Sequence, residues 1–319
     1  LQEAPMVGFV TGHKERSGMD MGEKGYGTFA SNKTFRYSLE NSGYGVREIS
    51  LEHPVAEDIN IIVLADMRSD FTEEEFRNFD AYLERGGNLF ILGEPKRQQF
   101  MNPVIERLGL RFADGIIVSP SEVNLDDLVA ANIKEGAAKV SENYIRYFRS
   151  GYSIMTPSAC AVEVIDSTKG FEITEVLASA GKGSWVEKET TDFINEKSVL
   201  NPAVGEVEKS NSIMLYLTRP VNNKEQRIFV IGDADCISTL ELSQNRPGLR
   251  SSNFTLITET FRNLSYGEFP VEASRVNPPD DRVLVTRNVI FGIRVVLMWI
   301  IPLLFVTGCI TLLIRRKRR

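Results

Sequence analysis

INIIVLADMRSDFTEEEFRNFDAYLERGGNLFIL, residues 59–92, is the stretch that decides the fold class. Its first part, Ile59–Ala65, is apolar without alternation, the signature of a strand buried on both faces. Thr72 and Glu75 have the spacing of a capping box, and Phe76, Phe79 and Leu83 fall on one helical stripe. Gly86-Gly87 stops that helix, and Asn88–Leu92 is a second buried strand. The stretch is therefore a strand–helix–strand unit, the building block of an α/β sheet.

Working outward, Val7–Val10 and Arg227–Ile231 repeat the short apolar run. A helix is expected over Lys33–Asn41, with Phe35 and Leu39 on one face, followed by a strand over Val46–Ser50. Another helix is expected from Pro95 through Val104, Ile105 and Leu108 to Gly109, interrupted at Pro103. Residues 1–118 thus read as the first part of a doubly wound, mostly parallel α/β domain. Residues 119–210 change character, with short β-like pieces at Tyr144–Phe148, Val162–Ile165 and Phe171–Val176, and read as an insertion. Residues 211–264 resume the pattern: a hairpin of Ile213–Thr218 and Ile228–Ile231 turning at Asn222-Asn223, expected to close the sheet, then a helix over Asn253–Leu264. Residues 265–288, with Pro270, Pro278, Pro279, Asp280 and Asp281, read as a juxtamembrane linker.

Residues 289–314 read as a transmembrane helix. Within them Val295–Ile314 is twenty residues without a charge, about 30 Å as a helix, which matches a hydrocarbon core. Gly292, Thr307, Gly308 and Thr311 are its small or polar candidates for packing against another helix. Residues 315–319 are a basic tail, placed in the cytoplasm by the positive-inside bias, although Arg275, Arg282, Arg287 and Arg294 lie on the other side. The tail contributes five positive charges to a chain of net charge -6, leaving -11 for the rest. That balance speaks against nucleic acid as a partner. Three widely separated cysteines give no disulfide framework or metal cluster. The start at Leu1, without methionine or an apolar leader, reads as continuing from an upstream segment.

Ligands of such sheets bind beyond the carboxyl ends of the strands. The residues there are Thr11, Gly12, His13 and Glu15, then Asp66, then Gly93 and Glu94, then Asp233 and Asp235. They are the candidate ligand- or partner-binding set. A Walker A loop is absent: Gly181-Lys182-Gly183-Ser184 has a glycine after its lysine and none five positions earlier. Gly18, Gly22, Gly25 and Gly27 lack dinucleotide spacing. Gly93-Glu94-Pro95 carries no nucleophile at the strand–helix turn, and the only histidines, His13 and His53, come too early for a triad. No catalytic residue, metal or cofactor is assigned. Two readings of Glu15, Asp66, Glu94, Asp233 and Asp235 stay open: a metal or acid–base site, or turn-forming and capping acids. Trp185 reads as a partner contact or a packed aromatic, and the sequons at Asn32, Asn253 and Asn263 matter only in a glycosylating pathway.

The segment Thr11-Gly12-His13-Lys14-Glu15, the step Gly86-Gly87-Asn88-Leu89, Ser184-Trp185-Val186-Glu187, Gly232-Asp233-Ala234-Asp235 and a last span with a basic tail occur in an order that resembles the GldG-type auxiliary proteins of ABC transporters. Lys14, where that family often has glycine, and Cys236, where an aromatic or aliphatic residue is usual, are departures. The resemblance implies an extracytoplasmic domain similar in fold to class I glutamine amidotransferases, flavodoxin-like and without their active site. It also implies the bacterial inner membrane, an ABC-2 type permease and a separate ABC ATPase as partners, and a glycan or protein as what the domain binds. A related domain in an intraflagellar-transport subunit implies a scaffold. A membrane-bound carboxylate or metal-dependent hydrolase and a surface adhesion protein are the competing expectations.

Overall fold

Alternate residues of the central strands face two different apolar cores, which is why each carries an apolar run without alternation. Ile61, Val63 and Ala65 enter one core and Ile62 and Leu64 the other; Phe90 and Leu92 oppose Leu89 and Ile91 in the same way. The computed structural model describes residues 4–246, 248–270 and 287–318. Its strands are β1 Met6–Val10, β2 Gly45–Ile49, β3 Ile59–Ala65, β4 Asn88–Leu92, β5 Leu110–Phe112, β6 Ile116–Val118 and β7 Leu128–Ile133. They continue as β8 Ile154–Pro157, β9 Val162–Val164, β10 Glu172–Ala178, β11 Trp185–Glu187, β12 Ser212–Val221 and β13 Lys224–Ile231. Nine of them form one sheet in the order β2-β1-β3-β4-β13-β12-β10-β7-β8. The first five are mutually parallel, and every pairing from β13 onward is antiparallel.

Helices α1 Gly27–Ala30, α4 Glu142–Arg149 and α6 Asn253–Leu264 cover one face; α2 Glu73–Glu84 and α3 Gln98–Ile105 cover the other, while α5 Thr239–Ser243 follows β13. The chain is thus mixed α/β around a large central sheet. The expected hairpin is present, with Asn222 and Asn223 at φ 48° and 63°, the left-handed pair that a type I′ turn requires. It does not close the sheet. β13 lies at the centre, and the strands expected in an insertion extend the sheet beyond β12, with β5·β9 and β6·β11 as separate ribbons.

Helix α2 forms as its sequence dictates. Glu75 donates its N–H to Thr72 Oγ1 at 3.3 Å, and Thr72 donates its N–H to Glu75 Oε2 at 2.7 Å. Thr72→Ala is expected to cost about 1 kcal/mol in denaturant unfolding. After the helix, Gly86 adopts φ 87°, and a Cβ on Gly87 would lie 2.2 Å from the Tyr82 ring. Both glycines are therefore required by the turn.

Three expectations differ. Lys33–Asn41 forms turns rather than a helix, because Asn41 Nδ2 donates to the carbonyls of Lys33 and Phe35 and the Asn32 side chain accepts from Thr34 N–H. Polar side chains thereby take the backbone groups a helix would use. Tyr144–Phe148 belongs to α4, not a strand: Ser141 caps it, accepting from Asn143 N–H. Pro103 sits inside α3 without breaking it; the helix instead tightens into a 3-10 turn at Glu106–Leu108 and ends at Gly109, φ 77°.

Contacts divide the chain into Leu1–Val271 and Glu272–Arg319. Most of the expected linker, with Arg275, Pro278, Pro279, Asp280, Asp281 and Arg282, lies outside the described residues. Among the described residues one helix, Val289–Lys317, is long and apolar enough to cross a membrane. It widens into a π-turn at Val296–Ile300 just before Pro302, a way of absorbing the missing proline N–H.

Candidate functional site

The order β2-β1-β3 reverses direction at β1, so the crevice beyond the carboxyl ends of β1 and β3 is where such a sheet holds a ligand. Here the chain's own loop lies across it. Arg16 N–H donates to the Ala65 carbonyl at 3.0 Å and Arg68 N–H to the His13 carbonyl at 2.9 Å. The Arg16 side chain is buried and extends over the ends of β3, β4 and β13. Its Nε is 3.3 Å from Asp66 Oδ2, Nη2 is 3.3 Å from Glu94 Oε2, and Nη1 pairs with Asp235 Oδ1 and donates to the Ala234 carbonyl at 3.1 Å.

Further cations complete the cluster. Arg68 and Arg97 donate to the two oxygens of Asp66 at 2.6 and 3.1 Å, and Lys24 lies 2.6 Å from Asp235 Oδ2. Asp66 itself adopts φ 52° and is fully buried. A positive φ is uncommon for an aspartate, and here it turns the carboxylate toward three arginines. Tyr26 donates its hydroxyl to the Ala234 carbonyl at 2.7 Å.

Burial penalises the charges unequally. Glu94 is pushed up to about 7 by burial, against the pull of Arg16 and with help from Asp235 and Asp66. Asp233 rises well above the carboxylate range, from burial first and then from Glu94 and Asp235. Its Oδ1 accepts the N–H groups of Asp235 and Cys236 at 2.6 and 3.1 Å, while Oδ2 is buried without a hydrogen-bond partner. Burial also works to raise Asp235, but Arg16 and Lys24 outweigh it and hold it below the usual range. Arg16 stays a cation: burial opposes its charge, and the neighbouring carboxylates of Glu94 and Asp235 more than compensate.

Asp66, Glu94 and Asp235 therefore meet, with Asp233 beside them. Thr11, His13 and Glu15 do not join them. Thr11 N–H donates to the Ile49 carbonyl at 2.9 Å, tying the end of β1 to β2, and Gly12 has open space around it. His13 sits between Glu15 (Nδ1 to Oε1, 3.1 Å) and Glu75 (Nε2 to Oε1, 3.2 Å), its ring 4.9 Å from that of Phe71. It serves the start of α2 as a hydrogen-bonded loop histidine. Gly93 donates to the Ile231 carbonyl at 2.8 Å, and a Cβ there would strike the Phe112 ring at 2.4 Å. Trp185 is packed in a small apolar cluster, and Asn253 and Asn263 of the sequons are buried. Sequence reading missed Arg16, Arg68, Arg97 and Lys24; the available signal was that acids converging from three strand ends need counter-charges. Among the described residues no group of three or more His, Cys, Asp or Glu side chains is arranged to hold a metal. A cavity of about 760 Å³ opens at the opposite end of the strands, lined by residues including Met6, Asn60 and Lys224.

Fold and site together define an α/β domain whose usual ligand edge is closed by an internal ion cluster, followed in sequence by a candidate membrane span. The chain belongs to the ABC_transp_aux family, described as an ABC-type uncharacterized transport system, whose model matches residues 4–264. No curated protein matches it in sequence. In structure it is similar to the mmIFT52 N-terminal domain, with TM-score 0.53 and 15% identity over 82% of this chain and 98% of that one. A putative ThuA-like protein from Parabacteroides merdae ATCC 43184 matches at TM-score 0.37 and 12% identity, covering 78% and 95%. An exo-beta-1,4-mannosidase, Op5Man5 from Opitutaceae bacterium strain TAV5, matches at 0.34 and 10%, covering 82% and 35%.

Proposed function

We propose that this chain is a non-catalytic, membrane-anchored accessory subunit of an ABC-type transport system. The observation that carries the reading is Arg16, which occupies the crevice where an enzyme of this architecture would bind its substrate and neutralises the carboxylates that would do acid–base work. The globular unit lies outside the cytoplasm of a bacterial inner membrane, with the basic C-terminus inside. An ABC-2 type permease receives the last helix, a separate ABC ATPase supplies the energy, and the outer unit contacts a protein or glycan. Within the family we assign the GldG-type branch, with its link to gliding and an amidotransferase-like ancestry from which the active site has been lost.

The span gives the test. Thr307 Oγ1 donates to the Leu303 and Leu304 carbonyls at 2.9 and 3.0 Å, and Thr311 Oγ1 to the Thr307 carbonyl at 2.6 Å. Their hydroxyl protons are spent within the helix, which leaves close approach at the small residues as the means of association. A Cβ on Gly308 meets nothing in this helix, so a leucine there disturbs only a partner. Gly308→Leu is expected to reduce permease recovery in mild detergent about tenfold while expression and membrane insertion stay unchanged. Undiminished recovery sinks this packing face.

A further inference from the structure

Two loops of residues 119–210 hold aliphatic side chains that the fold leaves in water. Val123 is 86% exposed, Ile194 80% and Val199 75%, with Leu125 half-exposed on the same loop as Val123. The loops are fixed to each other. Asp126, fully buried, accepts from Ser198 N–H at 2.8 Å and from Lys197 Nζ at 3.1 Å, and Lys197 Nζ also reaches the Ser121 carbonyl at 2.9 Å. Each loop is also locked locally: Ser121 Oγ accepts from Val123 and Asn124 N–H, and Asp192 Oδ1 from Ile194 and Asn195 N–H. Phe193 anchors the second loop in an apolar cluster with Ile116, Val118 and Trp185. Aliphatic groups offered to water from a braced backbone are arranged for contact with another surface.

The charges around them select the partner. Glu122, Glu189, Asp192 and Glu196 are exposed on these loops. Lys197 is paired with Asp126, and Lys188 Nζ is directed to the carbonyls of Val204 and Gly205. An acidic rim repels an anionic bilayer surface and attracts a cationic protein surface. We propose that this tip docks a segment of a partner protein in which apolar side chains are flanked by lysine or arginine. The proposal deepens the accessory role, on which it rests, by naming where and with what chemistry the outer unit makes contact.

The test is photo-crosslinking of the full-length protein in its native membrane, with benzoylphenylalanine at position 123 or 194 and, as a control, at the exposed position 164. Discrete adducts from 123 and 194 but not 164, mapping to a Lys- or Arg-bearing apolar segment of another protein, are expected. E122K combined with E196K should reduce their yield at least tenfold with an unchanged unfolding midpoint. Absence of adducts, equal labelling from 164, adducts only to a second copy, or binding of the protein's tip to phosphatidylglycerol vesicles would overturn the proposal. Transport subunits that co-purify with no adduct from 123 or 194 defeat this surface and leave the accessory role standing. Adducts to a basic segment unrelated to transport keep the surface and defeat the role.

Discussion

Arg16→Met is expected to destabilise the protein by about 3–5 kcal/mol, the effect of removing one partner from a buried ionic group. Methionine preserves much of the apolar stem but none of the five donors. Asp66 keeps Arg68 and Arg97, and Asp235 keeps Lys24. Glu94, whose salt bridge is with Arg16, is left beside Asp235 with only the more distant Lys24 to offset its charge. The loss should shrink as the pH is lowered toward 5, because the stranded carboxyls can then take up protons. Arg16→Lys keeps the charge but cannot reach three carboxylates at once, and should recover only part of the loss. Urea unfolding of the full chain in detergent at pH 8 and pH 5 measures both effects.

Glu94→Gln should move stability the other way. Glu94 is raised from 4.5 to about 7 in the folded protein, so the folded state binds its proton more tightly than the unfolded chain does. Its effect is absent below about 4.5, grows as the pH rises through 7, and above that costs about 3 kcal/mol at roughly 1.4 kcal/mol per unit. The native protein is therefore expected to lose stability between pH 4.5 and 7.5. The glutamine variant should be flatter over that window and more stable at pH 8. Asp235, held below its usual range, loses its contribution only under strongly acid conditions and does not overlap. Glu15 and Glu241, also raised by burial, act alike in both proteins, whereas Asp233 is raised in part by Glu94, so the difference between the two curves reports the Glu94 carboxyl together with its effect on Asp233. A glutamine variant that follows the native curve would remove the ionised Glu94 from the account.

The fold was legible where one physical cause dominates. Ile61–Ala65 and Leu89–Leu92 are apolar throughout because both of their faces are buried, and the Thr72–Glu75 box marks α2 from local hydrogen bonds alone. Asn222-Asn223 likewise sets its turn through backbone conformation. Lys33–Asn41 misled because Asn41 engages carbonyls as far as nine residues back, and Tyr144–Phe148 because an aromatic run suits helix or strand equally until Ser141 caps it. The sheet's extension beyond β12 depends on pairings between distant segments that no local pattern records. The candidate site was half legible. Convergent strand ends placed Asp66, Glu94 and Asp235 together, but Arg16 closes the cluster across 50 residues to Asp66 and 219 to Asp235. Glu15, next to that arginine in sequence, instead pairs with His13, whose other ring nitrogen faces Glu75.

If the chain works as a subunit rather than alone, it should leave its native membrane in company. Purification of the full-length protein in mild detergent, with mass spectrometry of whatever accompanies it, is expected to recover a multispan permease and an ABC ATPase together with this chain. Recovery of the chain alone, under conditions in which other transport complexes of the same membrane stay assembled, would contradict it.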